Sequence, residues 1–357
     1  MPSKSNNYMR FTSAVICSIL FFSACSPKEN LTDQLHNVVE KYHNEGFYNG
    51  TILIADSTAP LLKEAYGMAD FDAKKALDIT STFYMASVSK QFTTMAVMLL
   101  KEEGTLTFDD TLSTYFPSFP LWAETVTIRH LLTHTSGIPD YYGLGAAVPG
   151  FTNSDVVNVV ERIDSLNFAP GEQYEYSNTA YVLLSSIVQQ VSGKGFNDFM
   201  QENIFKPTGM TSTVAYDETM PERSNPCKGF DADGKEDDYP YFTTGGGGLY
   251  SNVEDMYKWH QALQSYKLVS KATMAEAHKP MTLNDGSTSW YGFGWMLDEK
   301  NSNRVLHTGT LTSFRTYIER NLENGQVIIM LNNVGKTKRD ELLGEIKALM
   351  KAGESNH

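Results

Sequence analysis

Apolar residues at Leu31, Leu35, Val38, Val39 and Tyr42 recur at the spacing of a helix with one buried face, which predicts a helix over 31–44 closed by Gly46. Two strand-like runs follow, Thr51–Ala55 and Leu61–Met68, parted by the turn residues of Asp56–Pro60. Helical periodicity returns from about Ser87 to Glu103, with Gly104 as its stop. From about 105 to 280 helical patterns alternate with turns rich in Gly, Pro, Asn and Tyr, and Val182–Val191 is the clearest helix there. After Trp290 the pattern turns to strands: Trp290–Leu297, Arg304–His307, Phe314–Glu319 and Gln326–Leu331, with Glu323-Asn324-Gly325 as a hairpin turn. Asp340–Met350 reads as a closing helix. The layout predicts an α+β fold. One antiparallel sheet comes from both chain ends (31–86 and 281–357), packed by the terminal helices, with a mostly helical part (87–280) inserted between them. No internal repeat and no low-complexity tract interrupts it.

The first residues follow a different pattern. Lys4 and Arg10 precede the uncharged apolar run Phe11–Phe22, which is shorter than the about 20 residues of a membrane span. It reads as the core of a secretory signal over 1–24. Phe22-Ser23-Ala24-Cys25 resembles a bacterial lipoprotein processing box, so Cys25 is the expected lipidation site and 25–30 a lipidated tether. An ordinary signal peptide cut after a small residue is the alternative. On the first reading the protein is exported, held to a bacterial membrane by its lipid alone, and faces the periplasm. Cys17 would leave with the leader, so no second cysteine remains to form a disulfide with Cys227.

Charge narrows the partners. The full chain carries a formal −13, and loss of two basic residues with the leader makes the mature form −15. That argues against nucleic acid and against electrostatic adhesion to anionic lipid. No Cys-x-x-Cys and no His-Glu-x-x-His is present, so no metal site and no cofactor is expected.

Three short motifs carry candidate chemistry. Ser87-Val88-Ser89-Lys90 is the only S-x-x-K in the chain and opens a helical run, which puts Ser87 and Lys90 one turn apart on one face. A serine hydroxyl needs a base to become a nucleophile, and a desolvated lysine can serve. The bland alternative is a serine cap beside a surface lysine. Tyr176-Ser177-Asn178 follows a Pro-Gly turn and precedes a helix, where Tyr176 could relay a proton and Asn178 could bind a substrate amide oxygen. The other Y-x-N matches have structural explanations: Tyr42-His43-Asn44 ends a helix, and at Tyr250-Ser251-Asn252 Ser251 and Glu254 form a capping box. Third comes His307-Thr308-Gly309-Thr310, at the end of a predicted strand. Here His307 would steady the proton network and attract a carboxylate, Gly309 would let substrate approach, and the Thr310 N–H would join that of Ser87 in an oxyanion hole.

S-x-x-K, Y-x-N and [KH]-T-G in this order resemble the serine β-lactamase and penicillin-binding superfamily. The likeness is greatest to the group of class C β-lactamases, DD-peptidases, D-aminopeptidases and esterases. Phe83–Lys101, Thr127–Tyr141, Pro170–Ile187, Lys206–Met210 and Gly246–Trp259 extend the resemblance over nearly the whole mature chain. It implies the β-lactamase/transpeptidase-like fold, with the site in the cleft between sheet and helical part. It also implies acylation of Ser87 and later hydrolysis, with Lys90 and Tyr176 sharing the acid–base work and Thr308 among the binding residues. The substrates so implied are D-amino-acid peptides, amides or esters, cell-wall peptide among them. β-Lactam hydrolysis as the main activity, and a lipoprotein that binds cell-wall fragments without turnover, stand as alternatives. His307 replaces the lysine usual in class C enzymes, and Ser313 stands where H-x-G-x-x-x-G would have glycine and narrow the cleft. His130 and His134 read as structural, Gly245–Gly248 as a flexible turn at the cleft edge, and Tyr141 and Tyr142 as lining the entrance.

Overall fold

A computed structural model describes residues 1–4, 30–217, 219–220, 224–238 and 240–354. The leader and Cys25 lie outside the described residues. Six strands form one antiparallel sheet: β1 (Gly50–Ala55), β2 (Pro60–Tyr66), β3 (Met296–Asp298), β4 (Asn301–Leu311), β5 (Phe314–Asn321) and β6 (Val327–Asn332). Their order is β3-β4-β5-β6-β1-β2. The two ends of the chain meet where β1 pairs with β6, from Gly50 opposite Asn332 to Ala55 opposite Val327.

Every residue of β1 and β6 is buried, because both faces of the sheet are covered. Helices α1 (Leu31–Asn44) and α5 (Arg339–Glu354) cover the outer face. There Leu35 and Val39 of α1 and Leu342 and Ile346 of α5 join Ile52, Ile54 and Met330 in one apolar cluster. Against the inner face lies the larger core, with α2 (Lys90–Glu102), α3 (Asn178–Ser192) and α4 (Val253–Gln264). α2 is buried on nearly every side, and its Phe92 stacks on Trp259 of α4 with ring centroids 4.3 Å apart. Its buried face includes the polar Lys90, Gln91, Thr93 and Thr94 as well as apolar residues. No helix among the described residues is long and apolar enough to cross a membrane.

Two local expectations are corrected. The strand anticipated over Trp290–Leu297 is confined to Met296–Asp298. Gly294, at φ +73°, breaks the pleat ahead of it, and the Gly292 N–H turns back to the Trp295 carbonyl. A Cβ at Gly294 would lie 2.9 Å from the Lys90 carbonyl oxygen, so this bend lets the chain lie against the start of α2. The cap of α4 is Asn252, whose side chain accepts from the Asp255 N–H. Ser251 is spent instead in a strand, its Oγ bonded to Thr213 Oγ1 at 2.8 Å.

Candidate active site

Ser87 sits in a short 3-10 turn, Ala86–Ser89, that joins the strand Phe83–Tyr84 to α2. Its expected place in an α-helix is thus taken by a tighter turn, and α2 proper begins at Lys90. The turn is clamped from two sides at Met85. The Met85 N–H donates to Leu249 O (2.8 Å), and Thr316 Oγ1 of β5 donates to Met85 O (2.7 Å). Ala86 adopts φ +47°, a left-handed conformation that costs a residue with a Cβ about 1–2 kcal/mol. It is held there by its clamped neighbours, and Ser87 is left half-exposed while Val88, Ser89 and Lys90 are buried.

Lys90 has no exposed surface and no direct carboxylate partner. Its Nζ lies 2.7 Å from Gly246 O, 2.8 Å from Asn178 Oδ1 and 3.2 Å from Ser87 Oγ. Burial brings its pKa down to about 7, against the opposing pull of Asp140. A neutral amine has two N–H bonds and one lone pair. With Gly246 O and Asn178 Oδ1 each accepting one N–H, the neutral amine would have its lone pair left for the Ser87 hydroxyl at 3.2 Å. Gly245–Gly248 is therefore more than a turn at the rim. A Cβ at Gly247 would fall 2.2 Å from Tyr84 Oη, so a bare backbone is needed to bring the Gly246 carbonyl close to Lys90.

Tyr176 hydrogen-bonds the Ser87 hydroxyl, and its ring lies 4.7 Å from Lys90 Nζ. Burial raises its pKa far above the ordinary value, so the phenol is neutral at neutral pH. Behind it stands His134, at 4.2 Å between ring centroids. That histidine accepts from the Ser177 N–H through Nδ1 and packs against Tyr181 and Tyr291 as well. It is structural in the sense of filling and fixing the wall of the site, although nothing in its sequence neighbourhood connects it with Tyr176. Asn178 begins α3 and is gripped by Asp140, whose Oδ2 accepts from its Nδ2 (3.0 Å) and from its backbone N–H. One end of the carboxamide is thus engaged by Asp140 and the other by Lys90.

His307, Gly309 and Thr310 lie on β4, beyond the point where β3 ends at the Met296–Leu306 pair. Among the described residues no strand pairs with that edge from His307 onward, and it faces the Ser87 turn instead. A Cβ on Gly309 would meet Met85 O at 2.5 Å and Ala86 Cβ at 3.1 Å, which is the close approach the glycine permits. Thr310 lines the cleft with Ser87. Thr308 alternates to the opposite face of the strand, and its carbonyl accepts from His307 Nδ1 (2.7 Å). With Nδ1 holding the proton, His307 Nε2 accepts from Tyr291 Oη (2.8 Å). Burial takes its pKa down to about 3, so His307 is a neutral, fully engaged imidazole that braces the wall and offers no charge to a carboxylate. Ser313 is buried and its Oγ donates to Asp237 Oδ2 (2.9 Å), so it fastens a neighbouring loop and does not project into the cleft.

The cleft over Ser87 is a cavity of about 150 Å³ walled by Tyr84, Tyr141, Tyr142, Tyr176 and Leu311. A larger cavity, about 460 Å³, lies on the outer side of the sheet among Arg304, Glu319 and Lys347, which are tied to one another. Among the described residues no cluster of His, Cys, Asp or Glu is arranged to hold a metal ion.

Residues 35–349 match the Beta-lactamase family. Penicillin-binding protein 4* of Bacillus subtilis (strain 168) is 33% identical over 351 residues, covering 92% of this chain and 76% of that protein. The octameric penicillin-binding protein homologue from Pyrococcus abyssi shares the fold at a TM-score of 0.77 and 25% identity, covering 90% of this chain and 77% of that one. D-amino acid amidase from Ochrobactrum anthropi SV3, solved with L-phenylalanine amide, gives a TM-score of 0.77 at 22% identity over 91% and 100% of the two chains, a likeness of fold. On sequence and architecture together, this chain belongs to the Beta-lactamase family and is a serine hydrolase.

Proposed function

We propose that Ser87 is the nucleophile of an acyl-enzyme mechanism acting on D-amino-acid peptides, amides or esters. The observation that carries it is the fixed geometry of Lys90, whose two N–H groups are spent on Gly246 O and Asn178 Oδ1. Its remaining direction is Ser87 Oγ. Lys90 takes the hydroxyl proton as Oγ bonds the substrate carbonyl carbon. The bond to the leaving nitrogen or oxygen then breaks, the neutral phenol of Tyr176 protonates that atom, and the Lys90 ammonium returns a proton to the resulting phenolate. Water releases the acyl group by the same steps in reverse. The backbone N–H groups of Ser87 and Thr310, from the turn and the strand that border the cleft, would stabilise the developing oxyanion.

A peptide with a free carboxyl end fits the surroundings. Thr310 also borders a second cavity, about 330 Å³, flanked by Arg315 and by Lys338 and Arg339, which pair with Glu341 and Asp340 of the same lining. Arg315 Nη1 donates to the backbone carbonyls of Thr312 and Phe314 and, among the described residues, has no ion pair with a carboxylate, so its charge can attract an anion beyond Thr310. This takes over the carboxylate attraction first expected of His307. Relatives that are penicillin-binding proteins, and a D-amino acid amidase of the same fold, are in keeping with this substrate class. The retained base and phenol favour turnover over mere binding of cell-wall fragments.

Incubation with a penicillin is the direct test. One adduct per chain by intact mass, absent from Ser87→Ala, is the expected result. Ring opening without a lasting adduct would make β-lactam hydrolysis the main activity. An adduct that survives in Ser87→Ala would sink the assignment.

We also infer that Cys25 carries a diacylglyceryl anchor facing the periplasm, on the strength of the Ser23-Ala24-Cys25 box. The mature protein is then expected in the detergent phase on cloud-point partitioning, and Cys25→Ala in the aqueous phase. Equal partitioning of the two would overturn it.

A further inference from the structure

We infer that Asp140 is a positioning residue of the acylation machinery, holding the Asn178 carboxamide in the one orientation that directs Lys90 at Ser87 and setting the pH range in which Lys90 acts. The inference rests on the reading of Lys90 as the base.

A carboxylate has no hydrogen to give, so Asp140 Oδ2 can bond the Asn178 side chain only through its NH₂ end, at 3.0 Å. The same oxygen accepts from the Asn178 backbone N–H at the start of α3, which fixes it on two sides. Its partner oxygen, Oδ1, accepts from the Tyr142 N–H at 2.9 Å. With NH₂ committed to Asp140, Asn178 Oδ1 has to face Lys90, where it accepts at 2.8 Å. A flipped amide would set an N–H against the N–H groups of Lys90. The lysine would then turn to seek another acceptor, and its lone pair would leave Ser87. Orientation thus passes from Asp140 through Asn178 and Lys90 to the nucleophile.

The same carboxylate acts by charge. Lys90 is surrounded by the rings of Tyr176 and Tyr181, at 4.7 and 5.4 Å to their centroids. The imidazoles of His134 and His307 also face it, and burial keeps both neutral. Asp140 is the group that favours the ammonium against the desolvation of the pocket. Removing its charge should make Lys90 easier to deprotonate even as the amide loses its anchor. A residue that merely held the loop together would lower activity without moving the titration.

Asp140→Asn keeps the shape and removes the charge, and Asp140→Ala removes both. Two measurements decide the matter in the full protein. One is the ¹³C resonance titration of Lys90 in lysine-labelled protein, assigned with Lys90→Met. The other is the pH profile of kcat/KM on an activated D-alanyl ester. Both variants are expected to show a Lys90 midpoint below the wild type, and the acidic limb of kcat/KM should move down with it. The kcat plateau should fall about 10–100-fold, with KM changed by less than about 3-fold. A midpoint that stays in place or rises, or a limb that does not follow it, overturns the inference. Failure of the wild type to form any acyl-enzyme would instead refute the hydrolase reading, and the Lys90 midpoint would still decide whether Asp140 tunes the amine.

Discussion

Lys90→Met is expected to slow acylation of an activated D-alanyl ester by roughly 10⁴-fold, and Ser87→Ala by 10⁴–10⁶-fold, with the double variant no slower than Ser87→Ala alone. The two side chains form one device. Without the amine the hydroxyl keeps its proton, and without the hydroxyl the amine has nothing to activate. Independent contributions would multiply, so a double variant slower than either single one by the product of both losses would show that Lys90 is not the base for Ser87. Methionine preserves the length and apolar stem of the buried side chain. It leaves Asn178 Oδ1 and Gly246 O without their donor, a cost of about 1–3 kcal/mol for each. That cost is offset because an ionisable amine no longer has to be kept neutral in the core. The fold should therefore survive, and thermal unfolding of each variant checks that the lost rate is not lost structure.

Acid is expected to unfold this protein early. Imidazoles in an unfolded chain bind protons below about pH 6.5. Within the fold, those of His260, His278 and His307 are held down to about 3 by burial, with nearby Arg320 or Lys90 adding to it. His134 is also lowered well below its ordinary value, again chiefly by burial. Above pH 6.5 neither state is charged and the four cost nothing. As pH falls through 6.5 toward 3, the unfolded chain takes up protons that the native one refuses, so stability declines. At pH 5 the three held near 3 each contribute a loss of about 2 kcal/mol, together on the order of 6 kcal/mol, with His134 acting in the same direction, which is comparable with the whole stability of a typical domain. Urea midpoints at pH 7.5, 6 and 5 measure this directly. A midpoint that stays level over that span would mean the imidazoles are not neutral and enclosed. His278→Phe should flatten the slope by one proton's share, since its Nε2 is buried without a hydrogen-bond partner.

The outer layers of the fold were open to reading from the chain where an apolar period persists, as in α1, β1, β6 and α5, whereas of β4 only Arg304–His307 reads as strand because most of its other positions are polar. The nucleophile motif was legible for a similar reason: Ser87 and Lys90 are three residues apart, and local spacing fixes their geometry. What periodicity could not show were contacts made at long range by groups without a pattern. The acceptor that Lys90 needs is a backbone carbonyl at Gly246, and backbone has no sequence signature. Asp140 falls inside the Thr127–Tyr141 segment with nothing in the sequence to link it to Asn178, which it meets through the packing of α3. His134 looks remote from Tyr176 by residue number and lies against it in space. His307 is expected from its motif to steady the proton network and attract a carboxylate, whereas its neutrality follows from how completely the sheet and Tyr291 enclose it.

The pairing of β1 with β6 joins residue 50 to residue 332, and it sets when the enzyme can first work. Ser87 and Lys90 emerge early from the ribosome, whereas Gly309 and Thr310, against which the Ser87 turn rests, emerge near the end. A partly synthesised chain therefore has a nucleophile and no cleft. Closure of so long a loop is an entropic hurdle that makes folding slow and late. Reactivity then appears in a single step when the last strand docks, and the unfinished chain passes through the cell chemically silent.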